Sequence, residues 1–573
     1  MKYFVSSVFF FLLLIGCSDS ETTPEISEEL VSLPTIATVV VTDVTDGSVV
    51  SGGNVTDDGG AAITDRGVVW GTSTGPTISD NKIANGTGKG KFNSTIEGLE
   101  ANVTYHVRAY ATNSAGTAYG NELSFNTLES EPIAKIFEGD VILTSQKEVD
   151  DFGALAYTEI TGALKIKDEN NPSSIKNLKP LNTISVIGDS LVINNNQVLI
   201  DFEGFSELKK IDDDLIIANN NALNKIDGFE ELLYVGGEFI IYNEKSTFSL
   251  NGFNKLTTVE RNMALVGVFA GKISDIVGFD NLESINGLLT LSGVTGEINA
   301  FKNLSIVRGR LLLQELVSIT DFRFLSSLAH VEGQIRVAAN GALESFEGLE
   351  SLTDIDGLYV LLNKSLKSLK GLESLKMVEG GVTISINEKL TDLDGLQKIT
   401  KITNGGLDIN QNQNLISLHG IDNLNSVAAG VEIWNNISLE SLDGLQGLEL
   451  TGSGENCFFC FGRIRIGGNE SLLNIDALEN LTTAWYADID IEYNLKLENL
   501  NGLRNLIHIY KSPNDTGIHG ARIEGNSKLN DVCGLKKVYE YNSSRYYING
   551  LFNGPVSADN PEGDVRVLLN MCD

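Results

Sequence analysis

The residues with the greatest capacity for chemistry are few and dispersed in this chain. Its five histidines, His106, His330, His419, His508 and His519, stand far apart, with no His-Glu-x-x-His pattern or phosphate loop. The acidic run at 212–214 offers the paired carboxylates that glycoside hydrolysis uses, but solvated turn carboxylates are the simpler interpretation. We therefore predict no catalytic residue, no metal site and no cofactor.

The cysteines predict covalent links rather than catalysis. Cys533 and Cys572 bracket the end of the chain, and we expect a disulfide between them that closes a C-terminal cap and contributes roughly 3 to 4 kcal/mol. Cys457 and Cys460 lie in an insertion that lengthens one repeat. A disulfide is the first interpretation there, since zinc needs further ligands and a redox motif needs a thioredoxin-like context.

The amino-terminal residues predict a lipid anchor. Lys2 and the apolar stretch 4–15 precede Leu14-Ile15-Gly16-Cys17, which resembles the bacterial lipobox. The apolar run is too short to span a bilayer core of about 30 Å. The resemblance implies a signal peptide at 1–16, lipidation of Cys17 and an acidic tether at 17–33, so a membrane is an expected partner through the lipid.

Charge and the residues behind Cys17 bear on location and partners. Asp and Glu number 76 against 42 Lys and Arg, a net charge of −34, which disfavours nucleic acid as a partner. The acidic stretch after Cys17 resembles the surface-export signal of Bacteroidetes lipoproteins, and Ser18 is not the Asp of inner-membrane retention. The resemblance implies an outer-membrane, lipid-anchored protein exposed at the cell surface.

Short β-branched runs separated by Gly, Asp and Asn predict an antiparallel sandwich over 34–128. The segments 67–71, around Trp70, and 99–113, around Tyr105, resemble a fibronectin type III domain. That resemblance implies a corner tyrosine at Tyr105, a core tryptophan at Trp70 and a spacer role. A linker would occupy 129–137.

A repeat dominates the remainder, 138–573. A Gly preceding Leu or Phe, or Ile in the case of Gly420, recurs mostly every 23 to 26 residues, at Gly204, Gly228, Gly252, Gly278, Gly348, Gly371, Gly395, Gly420, Gly444, Gly502 and Gly534. Ala300, Arg323 and Ala477 fill the gaps, which gives fourteen turns. Such a period predicts a solenoid in which each coil buries its apolar stripe against its neighbours.

Asparagine recurs eight residues before the marker in ten coils: Asn196, Asn220, Asn340, Asn363, Asn387, Asn412, Asn436, Asn469, Asn494 and Asn526. Because Asn bonds backbone groups and tolerates left-handed turns, we predict a structural ladder between coils. The four exceptions, Glu244, Ala270, Ser292 and Glu315, are consecutive. They mark about 240–325 as an irregular stretch with its own role or a bend.

Pieces such as Leu442-Asp443-Gly444-Leu445, with the recurring Leu-x-Ile-x-x-Asn strands, resemble the receptor L-domain family, a relative of leucine-rich repeats. The opening segment 139–152 looks like the capping helix of bacterial members, with Ser145 as N-cap and Glu148 completing a capping box. The resemblance implies a right-handed parallel β-solenoid that binds a ligand or protein. The expected fold is mainly β, a fibronectin type III-like sandwich followed by this solenoid.

Strand alternation predicts which side chains face outward. The candidate binding residues are Tyr242, Tyr359, Leu361, Asp408, Trp434, Asp490 and Glu492. Exposed aromatics suit interfaces, and the acidic end of this row could attract a cation or a basic partner. The alternative stays open that such residues simply suit strands.

These features together predict a non-enzymatic cell-surface lipoprotein that binds a protein or glycan partner through the solenoid. Two alternatives remain: a carbohydrate-active enzyme on a β-solenoid, and a structural surface component. Paired carboxylates in a cleft would favour the enzyme, and an open sheet would favour binding.

Overall fold

The computed structural model describes residues 30–130, 134–168, 174–200, 202–243, 246–269, 271–452, 462–485, 488–510, 519–542, 546–549, 569 and 572. The chain divides into two compact units, Met1–Ile133 and Ala134–Asp573. The predictions for Cys17, Cys457, Cys460, Glu244 and Ala270 lie outside the described residues and stay predictions.

The first unit consists of antiparallel sheets. One sheet contains Thr35–Thr42, Ser48–Asp57 and Gly90–Glu97, and the other contains Asp65–Gly71, Asn81–Ala84, Thr104–Asn113, Gly116–Tyr119 and Leu123–Asn126. Val49, Ile96 and Val107 are fully buried in their common core. Trp70 packs on the edge of this core, and the Tyr105 hydroxyl accepts a hydrogen bond from the Glu100 N–H at 3.1 Å.

The second unit is a parallel β-solenoid of about fourteen turns, which confirms the predicted fold class. Its main sheet has seventeen strands. They are Val141–Leu143, Leu164–Ile166, Leu191–Asn194, Leu215–Ala218, Phe239–Asn243, Met263–Gly267, Leu289–Ser292, Leu311–Gln314, Gln334–Ala338, Gly357–Leu361, Val382–Ser385, Leu407–Asn410, Val431–Trp434, Ile464–Gly467, Ile489–Glu492, His519–Glu524 and Tyr546–Asn549.

A second line of short strands precedes the main strand in each coil. Nine form one sheet: Ile136–Phe137, Glu159–Ile160, Val186–Ile187, Lys210–Ile211, Tyr234–Val235, Thr258–Val259, Ser284–Ile285, Ile306–Val307 and His330–Val331. Seven form another: Asp354–Ile355, Met377–Val378, Lys401–Ile402, Ser426–Val427, Leu450–Thr451, Thr483–Trp485 and His508–Tyr510.

The third side of each coil is mostly irregular or made of single 3-10 turns. These turns are Lys179–Leu181, Glu203–Phe205, Arg323–Leu325, Asp476–Leu478, Asn501–Leu503 and Cys533–Leu535. On this third side, a parallel sheet of four strands interrupts the pattern, and we call it the third sheet. Its strands are Lys225–Ile226, Phe248–Leu250, Ile273–Gly278 and Ile298–Ala300. One continuous core runs inside, since the inward residues of each main strand, such as Leu191 and Ile193, are fully buried.

Among the residues that the structure describes, the α-helices bounded at both ends are α1 at Gln146–Gly153 and α2 at Lys536–Asn542. Ser145 caps α1 by accepting from the Glu148 N–H at 3.3 Å. The Glu148 carboxylate accepts from the N–H of Thr144 at 2.6 Å. This bond, and to a smaller extent the backbone N–H of Ser145, lowers the pKa of Glu148. The strongest bond of the carboxylate is therefore one residue before the predicted partner.

The asparagines form a ladder inside the turn that follows each main strand. All ten are buried, at 3% exposure or less. Each side chain bonds the preceding coil twice: Asn363 Nδ2 donates to Val337 O at 3.0 Å, and its Oδ1 accepts from Asn340 N at 3.1 Å. The ladder thus satisfies backbone groups that the sheet cannot reach at the turn.

The irregular stretch replaces the ladder with other contacts between coils. Asn243 is still buried and donates to Asn220 O at 3.1 Å, but the third sheet and a stack of phenylalanines then take over. Neighbouring rings lie 5.0 to 5.6 Å apart along the stack of Phe205, Phe229, Phe253, Phe279 and Phe301.

The sequence register in this stretch was wrong in two coils. Glu315 is the left-handed residue at φ 52°, and Leu316 takes the ladder position, with its N–H donating to Asn340 Oδ1 at 2.9 Å. Ser292 ends its strand, and Gly293 is the left-handed residue of that coil at φ 70°. The coil lengths change here, so counting back from a marker misplaces the turn.

The carboxyl end of the solenoid is tied by a disulfide between Cys533 and Cys572, whose Cα atoms are 5.5 Å apart. Leu569 is buried in the core beside it. Lys536 Nζ also donates to the backbone oxygen of Cys572. The last coil therefore has a covalent and a hydrogen-bonded closure.

Candidate functional site

Two rows of side chains project outward from the main sheet. Strand register places Tyr359, Asp408 and Asp490 in one row and Tyr242, Leu361, Trp434 and Glu492 in the other. All seven predicted binding residues thus share one face. Tyr242 is five strands from Leu361 along it, about 24 Å at ordinary strand spacing.

Four consecutive coils carry glycine two residues before the first outward row, next to the first inward residue of the strand. These are Gly357, Gly381, Gly406 and Gly430, and the flanking coils have Gln334 and Arg463 at the same position. None of the four glycines has a left-handed backbone. Backbone conformation therefore does not explain the run of glycines, and the missing side chains leave a depression in the surface.

The depression is an open groove of about 630 Å³. We call it the glycine trough. Its floor includes Gly381, Gly406 and Gly430, its walls are Tyr359, Thr383, Asp408, Glu432 and Arg463, and Gly357 lies under the Tyr359 ring. The Tyr359 ring lies along the floor: Cε2 is 3.0 Å from a Cβ built at 357, and the hydroxyl is 3.9 Å from one built at 381. Glycine at 357 thus makes room for the ring.

Asp408 and Glu432 are neighbours across two adjacent strands at the centre of the trough wall. Asp408 Oδ1 accepts from Asn410 Nδ2 at 2.7 Å. Glu432 lies 3.9 Å from Arg463 Nη1 and 3.7 Å from Arg465 Nη1. Arg463 also bonds Asp490 Oδ2 through Nη2 at 2.6 Å and Nε at 3.1 Å. The cation at the end of the trough is therefore engaged by carboxylates of the chain itself.

Two carboxylates at the predicted acidic end of the face are paired within the chain. Asp490 is 9% exposed and bonded to Arg463, and Glu492 is 4% exposed and lies 2.7 Å from Arg522 Nε. Burial raises the pKa of Glu492. Arginines on the neighbouring strands neutralise both carboxylates, so neither presents a charge to a partner.

The Trp434 ring is in contact with its neighbours on the sheet. Its ring occupies the space above Gly467, where a Cβ would be 2.0 Å from Cζ3. The guanidinium of Arg465 stacks on the same ring at 3.8 Å from its centroid. The indole is thus part of the ion-pair cluster, and Trp434 remains half-buried.

Of the other predicted residues, Tyr242 is half-buried and its hydroxyl accepts from Asn219 Nδ2 at 3.2 Å. Leu361 is half-buried between Ala338 and Ser385 on neighbouring strands. The structure brings Tyr359 and Asp408 together in the trough and leaves the other five outside it. The sequence did not point to the glycines of the trough, because a recurring glycine in a repeat usually indicates a turn.

A second groove, of about 500 Å³, lies along the edge where the ladder turns reach the surface. We call it the ladder-edge groove; its lining includes Ile386, Trp434, Ile437, Tyr493 and Leu495. Ile386 and Tyr493 have left-handed backbones, at φ 58° and 56°. Isoleucine there costs more backbone energy than the Asn used at the same place in other coils, such as Asn435.

The first unit contains a serine that sequence inspection overlooked. Ser73 is exposed in the stretch Gly71-Thr72-Ser73-Thr74-Gly75, near a pair formed by His106 Nδ1 and Glu122 Oε1 at 2.9 Å. Gly71 lies opposite His106, and the Gly75 N–H donates to Glu122. Among the described hydrogen bonds, however, none links Ser73 to His106, and a strand rather than a helix follows. The arrangement is not an assembled triad.

Within the described ranges, no cluster of His, Cys, Asp and Glu could hold a metal ion, and no helix is long and apolar enough to cross a membrane. The described fold and the trough define a parallel β-solenoid with an open polar groove on its longest sheet. A scan against protein-family models finds no match, and a search of curated proteins finds none.

Proposed function

We propose that this protein is a non-catalytic binding protein that holds its partner against the outward face of the main sheet, at the glycine trough. One observation carries the proposal: four successive coils lack a side chain at the same position, while Tyr359, Thr383 and Asp408 border the space that results. Ligand-binding sites are typically concave and combine apolar or aromatic side chains with a few polar groups in fixed positions.

The test is to fill the trough without disturbing the coil. Gly381→Leu is suitable because a Cβ at 381 meets nothing closer than 3.4 Å, and Leu288 occupies the same register position in another coil. Ser190→Leu is the matched control, at the equivalent position far from the trough. Full-length protein in detergent would be screened against arrays of glycans and cell-surface proteins.

We expect Gly381→Leu to weaken saturable binding at least about tenfold, or 1.4 kcal/mol, and Ser190→Leu to leave it unchanged. Equal binding by both variants would place the partner elsewhere and contradict the proposal. Circular dichroism of both variants would establish that the fold is intact.

A second candidate, hydrolysis of a bound polysaccharide, is favoured by the pair Asp408 and Glu432 on adjacent strands of the trough wall. Glycosidases use two such carboxyl groups. Product analysis on every glycan that binds separates the two candidates. Chain cleavage that Asp408→Asn abolishes would establish the enzyme, and binding without turnover would support the binding protein.

We also propose that the chain is a surface lipoprotein of the outer membrane, anchored at Cys17, in which residues 34–128 act as a fibronectin type III-like spacer. The lipobox-like residues before Cys17 support the anchor. The antiparallel sheets and the bond from Glu100 N–H to the Tyr105 hydroxyl support the spacer. Wild-type protein should incorporate labelled fatty acid, and a Cys17→Ser variant that still incorporates it would contradict this.

A further inference from the structure

We infer that the ligand of the glycine trough is an uncharged polysaccharide segment. This inference rests on the proposed function and names the class of partner. It depends on three features of the trough: its charge, its floor and its one aromatic side chain.

The charge of the trough opposes acidic ligands. Arg463 is the only cation among the residues that line it, and its guanidinium bonds Asp490 at 2.6 Å and lies 3.9 Å from Glu432. A sulfate or carboxylate on a ligand would have to compete with these carboxylates for the guanidinium. Asp408 adds a further carboxylate, and the whole chain carries a net charge of −34. Anionic polymers are therefore repelled at the site and at a distance.

The floor of the trough opposes a peptide ligand. Leu358, Val382 and Leu407 donate their N–H groups to Gly381, Gly406 and Gly430 at 2.9 to 3.0 Å, so these strands are bonded on both sides. A bound strand would find no open sheet edge to pair with.

The same floor suits a chain of sugar rings. Gly381, Gly406 and Gly430 at ordinary strand spacing give a surface about 10 Å long without side chains. The Tyr359 ring lies at the end of this surface, over Gly357, and can pack on the apolar C–H face of a sugar. Hydrogen-bond acceptors and donors for sugar hydroxyl groups come from Asp408, Thr383 and Gln334. A carboxylate can accept hydrogen bonds from hydroxyl groups of an uncharged ligand.

The experiment measures binding of the full-length protein in detergent to three immobilised probe sets. These are neutral oligosaccharides of glucose, mannose, galactose and xylose, acidic oligosaccharides bearing sulfate or uronic acid, and a tiled peptide array of mixed charge. Wild type, Gly381→Leu, Tyr359→Ala and the control Ser190→Leu are compared at low and high salt.

The inference expects saturable binding to a neutral oligosaccharide, little change with salt, a loss of at least about tenfold in Gly381→Leu and Tyr359→Ala, and none in Ser190→Leu. Binding confined to acidic sugars or peptides, and abolished by Gly381→Leu, would overturn the inference but leave the proposed function standing. Neutral-sugar binding that neither trough variant weakens would overturn the inference as well. No binding in any set would overturn the inference, and the separate screen against cell-surface proteins would then decide the proposed function.

Discussion

At the scale of the residue, Asn363 illustrates how one side chain joins three coils. Its amide nitrogen donates to Val337 O, its oxygen accepts from Asn340 N, and its own N–H donates to Asn387 Oδ1 at 3.1 Å. The residue is fully buried, so water cannot replace any of these bonds. A ladder asparagine therefore stabilises the fold mainly by preventing unsatisfied backbone groups.

We predict that Asn363→Ala lowers the free energy of unfolding by about 2 to 4 kcal/mol, because the N–H of Asn340 and the carbonyl of Val337 lose their partners. Urea unfolding followed by circular dichroism would measure the change. Asn414→Ala is the control: its amide bonds Glu388 O at an exposed position, and a change within about 0.5 kcal/mol is expected. Equal losses in both variants would contradict this explanation.

Ile386 is a residue whose side chain does not suit its backbone conformation, because it is β-branched and its φ is 58°. A left-handed backbone costs a non-glycine residue about 1 to 2 kcal/mol, and asparagine tolerates it best. We therefore predict that Ile386→Asn raises the unfolding free energy by about 1 kcal/mol. Ile437→Asn, on the same groove but without a left-handed backbone, should give no gain. Destabilisation by Ile386→Asn would mean that side-chain packing outweighs the strain.

At the scale of the element, neighbouring coils are held together either by the asparagine ladder or by the third sheet and the phenylalanine stack. Where the ladder is interrupted, the third sheet pairs Phe248–Leu250 with Ile273–Gly278, and the phenylalanine stack fills the interior beneath it. Phe253 lies at the centre of that stack, 5.1 Å from Phe229 and 5.0 Å from Phe279. Packing of large side chains thus supplies the contact between coils that asparagine supplies elsewhere.

We predict that Phe253→Ala costs about 3 to 5 kcal/mol, because truncation of a fully buried ring leaves a cavity between neighbouring coils. Because each coil contacts mainly its neighbours, the damage should be local. Hydrogen exchange should accelerate for amides within about 225–300 and remain slow in the coils after 340. Uniform acceleration along the solenoid would indicate a single cooperative unit instead. Phe253→Leu, which retains most of the volume, should cost distinctly less.

At the scale of the whole molecule, the ends of the solenoid need separate closure, since an end coil has a neighbour on one side only. Helix α1 covers the first coils through Val149, which is fully buried. The disulfide between Cys533 and Cys572 brings Leu569 and Cys572 back onto the last coil.

We predict that reduction of this disulfide removes roughly 3 to 4 kcal/mol from the local stability of the carboxyl end. Limited proteolysis after treatment with dithiothreitol should cut after Cys533 first and leave the preceding coils intact. Cys533→Ser should behave like the reduced protein. A global loss of structure on reduction would show that the cap controls the entire solenoid.

The amino-acid sequence alone determined the properties that depend on spacing along the chain. The interval between markers required a solenoid, and the alternation in segments such as Val431–Trp434 assigned inward and outward side chains. The position of the asparagines required a common turn. These are local patterns, repeated at one period, and they do not depend on which atoms meet across coils.

Only the tertiary structure decided how side chains of different coils meet. Arg463 reaches Asp490 and Arg522 reaches Glu492, so these two carboxylates of the predicted acidic face are paired with arginines. Gly381 and Gly406 became the floor of a trough only when stacked with their neighbours. Such contacts depend on the length of each coil and on the orientation of side chains across strands. The repeat period determines neither of these.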